Sequence, residues 1–371
     1  HGAMDAADTS AARHSCIAIG SNALGGQTAS VSACVAIGLN ALADQNANVK
    51  NTAIGAYAGA DITTGAANTL IGYFAGKSGT VTGGNAGWNN NTMVGHQAGM
   101  SATEGGQNTF IGAFSGDSAV TGDDNTCVGY DTGTELTSGS YNTFIGKGAG
   151  DKTTTGNENI AIGLDAMGLG ITANTSATQG TYNLAIGSKA GYDLTTGQGN
   201  LLIGKSAGEE LTTQNYNVGL GHATLEDATS GPNTAVGALA GQNISTGTSN
   251  TFMGYLAGNA DCGNYNTAVG DNAFVKGTGA GNTVVGFDAG SSTRNTTTAL
   301  SGNNNTLVGN SAGYKLTTGP GNVLIGKSAG TAMNTGDYNV AIGFEAADGL
   351  VGAATQNVAI GKHALGGCTA A

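Results

Sequence analysis

One five-letter word recurs along this chain at a nearly constant interval. Asn142-Thr-Phe-Ile-Gly146 is followed 17 residues later by Asn159-Ile-Ala-Ile-Gly163. Anchored on its closing glycine, the word occurs in 20 units, from Gly20 to Gly361. The usual spacing is 16–18 residues, and three intervals are longer: Gly72 to Gly95, Gly163 to Gly187, and Gly286 to Gly309. Self-similarity at a fixed period marks a stacked repeat, in which each unit buries its apolar side chains against its neighbours.

The slots of the unit say what kind of stack. The residue before the anchor is aliphatic in every unit, and the one before that is apolar or small. Three before the anchor stands Thr or a large aliphatic residue, and four before it Asn in 18 units. Such a word predicts a short β-strand ended by glycine. Both its faces are apolar, so both are expected to be buried. Three residues after the anchor comes Ala, Ser or Thr, often followed by Gly, as at Gly59 and Gly150. That pair suits a tight corner. A second strand is then expected in segments such as Asp61–Gly65, Tyr192–Gly197 and Tyr314–Gly319. Its single inward residue would be Ile62, Leu136, Leu194, Leu211, Ile244 or Leu316. Two strands and two corners in about 17 residues predict an all-β fold, a parallel β-solenoid (β-roll) of about 20 rungs. At roughly 4.8 Å per rung the stack would be about 95 Å long. The Asn slot is expected to form a ladder of amides at one corner. No 3.6-residue period persists, and Gly, Thr and Asn are weak helix formers.

Composition excludes the other classes. Gly contributes 67 residues and Pro only 2, which excludes collagen. A hydrophobic share of 39% is too high for a disordered chain. The net charge of −12 is spread thinly and there is no basic patch, so nucleic acid is not expected as a partner. No apolar run is long enough to span a membrane. His1-Gly-Ala-Met4 has the look of a purification-tag remnant. Residues 1–15 are therefore read as tag and lead-in, 16–365 as the solenoid and 366–371 as a tail. The end of the chain directly after the last rung reads as that of a fragment or processed piece.

Units such as Asn339-Val-Ala-Ile-Gly-Phe-Glu-Ala346 and Asn357-Val-Ala-Ile-Gly-Lys-His-Ala-Leu365 resemble the NxAIG-type repeats of trimeric autotransporter adhesin heads and related phage tail-fibre shafts. The resemblance covers residues 16–365. It implies a parallel β-roll, three chains side by side, and attachment to surfaces outside the cell or on a virion. The adhesin-head period is a few residues shorter, so the corners are expected to differ. The apolar pattern points to oligomers independently. The strand is apolar on both faces, although a roll needs only one inward face per strand. The row containing Leu70, Phe110, Phe144 and Phe252 is read as the surplus one and assigned to a homotrimer interface.

Catalysis finds little support. The five histidines lack metal-ligand spacing, no carboxylate pair stands out, and no cofactor is expected. Gly146-Lys-Gly-Ala-Gly150 is read as an ordinary corner rather than a phosphate loop. Cys16 and Cys34 hold the Asn slot of the first two units, so stacking would put them within disulfide range. The equal alternative is two reduced thiols. The three long intervals, Tyr73–Asn91, Leu164–Tyr182 and Phe287–Asn304, are the candidate binding loops. The first holds the only tryptophan, Trp88, beside Asn89, Asn90 and His96. The second ends at Tyr182. The function expected is that of a non-enzymatic fibre or adhesin protein holding loops toward a host glycan or protein. The alternatives are an ice-binding solenoid using its Thr-Thr-Gly rows and, behind it, a polysaccharide depolymerase. Trp88 is either a sugar-stacking platform or a structural cover for a rung edge or subunit seam.

Overall fold

The computed structural model describes residues 13–26, 31–46, 50–78, 88–118, 120–169, 180–291 and 299–367. The chain divides into two compact units, His1–Gln198 and Gly199–Ala371, built to one plan. In each, the recurring word is a three-residue strand. They run from Ile17–Ile19 to Leu184–Ile186 in the first unit and from Leu201–Ile203 to Val358–Ile360 in the second. Successive strands pair in parallel, slot against slot. Phe144 lies opposite Cys127 on one side and Ala161 on the other. In the second unit Phe252 lies between Ala235 and Ala268. A further short pairing joins Arg13–His14 to Val31–Ser32. The fold is thus all-β, a parallel β-solenoid whose repeat is one coil.

The asparagines form the expected ladder. The Asn159 N–H donates to Asn142 Oδ1 at 3.0 Å, and its side-chain amide donates to the same oxygen at 3.2 Å and to Gly180 O at 2.7 Å. Asn142 does the same to Asn125 and Gly156. Each amide therefore satisfies a corner of two coils, and these side chains are buried. The anchor glycine is explained as directly. Gly146 has φ 128°, a region open only to glycine. A Cβ there would stand 2.5 Å from Gly163 O of the next coil.

The expected second strand is absent. Asp61–Gly65, Tyr192–Gly197 and Tyr314–Gly319 are turns and bends. Outside the strands, the described residues add only the isolated bridges Gly277–Leu300 and Met333–Gly352. The cause is a local turn: the N–H of the inward residue folds back on the carbonyl three before it, Ile62 on Gly59 O at 3.2 Å, Leu194 on Gly191 O at 3.1 Å and Leu316 on Gly313 O at 3.0 Å. The corner that precedes it is irregular too, with positive φ two and four residues after the anchor, as at Phe74 (59°) and Gly76 (55°). A chain that alternates in this way cannot run extended. Its N–H groups instead reach both neighbouring coils: Tyr57 N–H donates back to Leu39 O at 2.7 Å, and Gly59 N–H forward to Ala75 O at 2.9 Å.

The inward residues of that segment are as expected: Ile62, Leu136, Leu194, Leu211, Ile244 and Leu316 are fully buried. Interior volume is shared between two slots of a coil, four and seven residues after the anchor. Where the first is Gly, as at Gly208, the second is large, Leu211. Where the first is large, as at Leu42, Leu225 and Phe274, the second is Gln45, Ala228 or Gly277. A Cβ on Gly277 would meet the Phe274 ring at 2.1 Å. Constant packing density forces this exchange.

The assignment of Leu70, Phe110, Phe144 and Phe252 to an interface is overturned. All four are fully buried inside their own coils. Strand side chains alternate, so the buried Asn and the residue two after it share one face. The Phe row is therefore inward. The residues on either side of it point outward, so only one strand face is buried within the chain, not both.

Candidate functional site

The outward strand face is the first candidate surface. It carries the residues three and one before each anchor: Thr109 and Ile111, Thr126 and Val128, Thr143 and Ile145, Ile160 and Ile162 in the first unit. In the second, Thr251 and Met253 or Val323 and Ile325 fill the same places. Over all 20 strands of this kind the face holds only Thr and aliphatic residues, with no charge, amide or glycine. Its members stay partly open to solvent, Ile111 and Ile145 each at 38%.

Trp88 does not belong to any surface. It is fully buried, and its ring lies against the Cα positions of Gly65 and Gly76. Its carbonyl accepts from the Asn68 amide at 3.2 Å, while its indole Nε1 has no partner among the described residues. The sugar-platform reading is therefore replaced by the structural one. Asn89 is structural too, its Oδ1 accepting from Ala66 N–H at 2.7 Å. Asn90 is exposed with φ 59°. Much of the three long intervals (79–87, 170–179 and 292–298) lies outside the described residues, so their reading as loops falls there too. Trp88→Ala is expected to destabilise the protein by about 3–5 kcal/mol, as for other emptied aromatic sites. Thermal melting followed by circular dichroism measures this.

His96 is exposed but stands apart from Trp88, at the corner after the strand. There it belongs to an aromatic run across five consecutive coils. Tyr73 stacks on His96 at 5.5 Å, His96 meets Phe114 at 5.2 Å, and Phe114 meets Tyr130 at 5.9 Å. Tyr57 and Phe74 extend it at 5.0 Å.

Tyr182 lies at the other corner, just before the strand. The strand register puts Tyr141, Glu158 and Tyr182 in one slot of three successive coils. Backbone bonds hold that slot: Glu158 N–H donates to Ser140 O at 3.0 Å and Tyr182 N–H to Asn157 O at 3.2 Å. Together with Asn157 and Gln198 these residues line a hollow of about 450 Å³. The sequence reading singled out Tyr182 alone. The signal for its partners was their position, immediately before the ladder Asn.

Burial raises the pKa of the Cys127 thiol and pushes that of Cys262 up to about 12. Cys16 and Cys34 are not bridged to each other in this structure. Cys16 donates to Val31 O at 3.8 Å, and Cys34 accepts from the Gln45 amide at 3.3 Å. Burial raises the Asp117 and Asp151 pKa values, with Asp131 adding repulsion, but Asp151 is paired with Lys152 at 3.3 Å. Glu345, Asp348 and His363 each bring one ligand atom within 4.8 Å of the others, a grouping able to hold a divalent cation that the spacing of the histidines did not reveal. His363 Nδ1 already contacts Glu345 Oε2 at 3.1 Å.

No protein-family model, curated protein or solved structure matches the chain.

Proposed function

We propose that this chain is a non-enzymatic fibre module of the adhesin or tail-fibre kind, exposed on a cell or virion surface, whose copies associate side by side as a homotrimer. The observation that carries the reading is the outward strand face. Three residues at about 3.3 Å by one rung at about 4.8 Å make roughly 50 Å² of face per coil. Ten strands in each unit then provide about 500 Å² per unit, near the upper end for a monomer's largest apolar patch. The face of one unit alone is thus more than half of the roughly 800 Å² that each partner gives to a standard interface. A second copy, carrying the same uncharged rows, is the complementary occupant. Association multiplies every weak contact the corners make with a host surface.

Light scattering tests this. The expected mass is three times the chain's 36.0 kDa, and a single-chain mass at micromolar concentration overturns the assembly. The ordered Thr beside Ile and Val on this face also favours a second reading, an ice-binding surface. It rests on the strand threonines Thr52, Thr69, Thr92, Thr109, Thr126 and Thr143 rather than on Thr-Thr-Gly rows. That reading requires a single-chain mass together with thermal hysteresis.

A further inference from the structure

We propose that the hollow bounded by Tyr141, Glu158 and Tyr182 binds an uncharged, extended oligosaccharide lying along the stack of coils. The inference rests on the surface-binding part of the reading above, to which it adds a site and a ligand class.

Four observations carry it. Tyr141 and Tyr182 are 61% and 62% exposed, so their ring faces are open to a ligand, as are those of Tyr216, Tyr265 and Tyr338 in the same slot of other coils. Both occupy a left-handed slot, with φ of 61° each. Other coils fill that slot with Gly199, Gly281 or Gly321, for which the conformation carries no penalty, or with a tyrosine again, Tyr216, Tyr265 or Tyr338, but only Tyr141 and Tyr182 flank Glu158 in one hollow. The two tyrosines are two coils apart, so their rings are separated by about 10 Å along the stack. Between them, at the same slot, stands Glu158, exposed and without an ion pair among the described residues.

A diequatorially linked pyranose chain advances by close to one coil spacing per ring. Successive rings would therefore fall on Tyr141, Glu158 and Tyr182 in turn. The two outer sugars stack their apolar faces on the tyrosine rings. The middle sugar donates hydroxyl hydrogens to the Glu158 carboxylate, while Asn157 and Gln198 on the rim face the remaining polar edges. The hollow of about 450 Å³ admits rings but does not enclose them, as suits an open-ended polymer. Glu158 and a net charge of −12 disfavour acidic polysaccharides.

Isothermal titration with cellohexaose tests the inference, with maltohexaose and oligogalacturonate as the bent and the acidic comparisons. Cellohexaose is expected to bind and the other two to bind at least tenfold more weakly. Tyr141→Ala and Tyr182→Ala should each reduce cellohexaose affinity about tenfold or more. Tyr182→Phe, which keeps the ring and the fold, should retain it. Absence of cellohexaose binding, or binding that survives the double Tyr→Ala change, overturns the site. Light scattering on the same samples separates the two readings. Lost titration at an intact assembled mass removes only the saccharide site, and intact titration at a single-chain mass removes only the assembly.

Discussion

Phe144→Asp should unfold the coils around it and lower the melting temperature of the protein by more than 10 °C. The side chain is fully buried. It is also closely fenced, since a Cβ on Gly150 would lie 2.6 Å from its ring. Emptying a Phe site costs about 3–5 kcal/mol, and an unpaired carboxylate in the same place adds several more. Whole-domain stability is only about 5–15 kcal/mol. In a stack, each coil is supported mainly by its neighbours, so the damage starts locally and spreads along the coils beside it. Thermal melting with hydrogen exchange on the same variant reads both effects. A variant that melts like the parent would return Phe144 to the surface.

Charge placed one residue further along should do the opposite. In Ile111→Asp combined with Ile145→Asp, both changes fall on the outward face, where each residue is 38% exposed. Solvent reaches those positions in the single chain, so the fold is expected to lose about 1 kcal/mol or less. In an assembly, each carboxylate would be desolvated opposite its own copies, which costs far more. Light scattering should then report 36.0 kDa instead of three times that mass, with the circular-dichroism spectrum unchanged. An unchanged assembled mass would show that the copies meet elsewhere. The adjacent positions Phe144 and Ile145 thus separate folding from association.

Much of this was legible in the sequence. The period of the closing glycines determined the coil, because only a stack of like units returns to one word so often. The ladder followed from the Asn slot, since a repeated buried amide must be satisfied by its own kind in the next coil. The inward Ile62 and Leu136 were legible as single apolar residues among polar ones. A parity clue was also available: Asn142 and Phe144 are two apart and must share a face, so burying the ladder buries Phe144. It was obscured because both strand faces are apolar, and a period of two cannot say which apolar face turns inward. Only the closure of the coil decided that, along with the corners. Residues such as Tyr57 and Phe74 carry no sequence mark of their left-handed φ, which is imposed by bonds to the coils on either side. Trp88 went inward for a similar reason: the space beside Gly65 and Gly76 exists only once neighbouring coils are stacked. Tyr141, Glu158 and Tyr182 are separated by 17 and 24 residues in the chain. The parallel register alone makes them neighbours, because it brings each slot beside its equivalent whatever length of chain lies between.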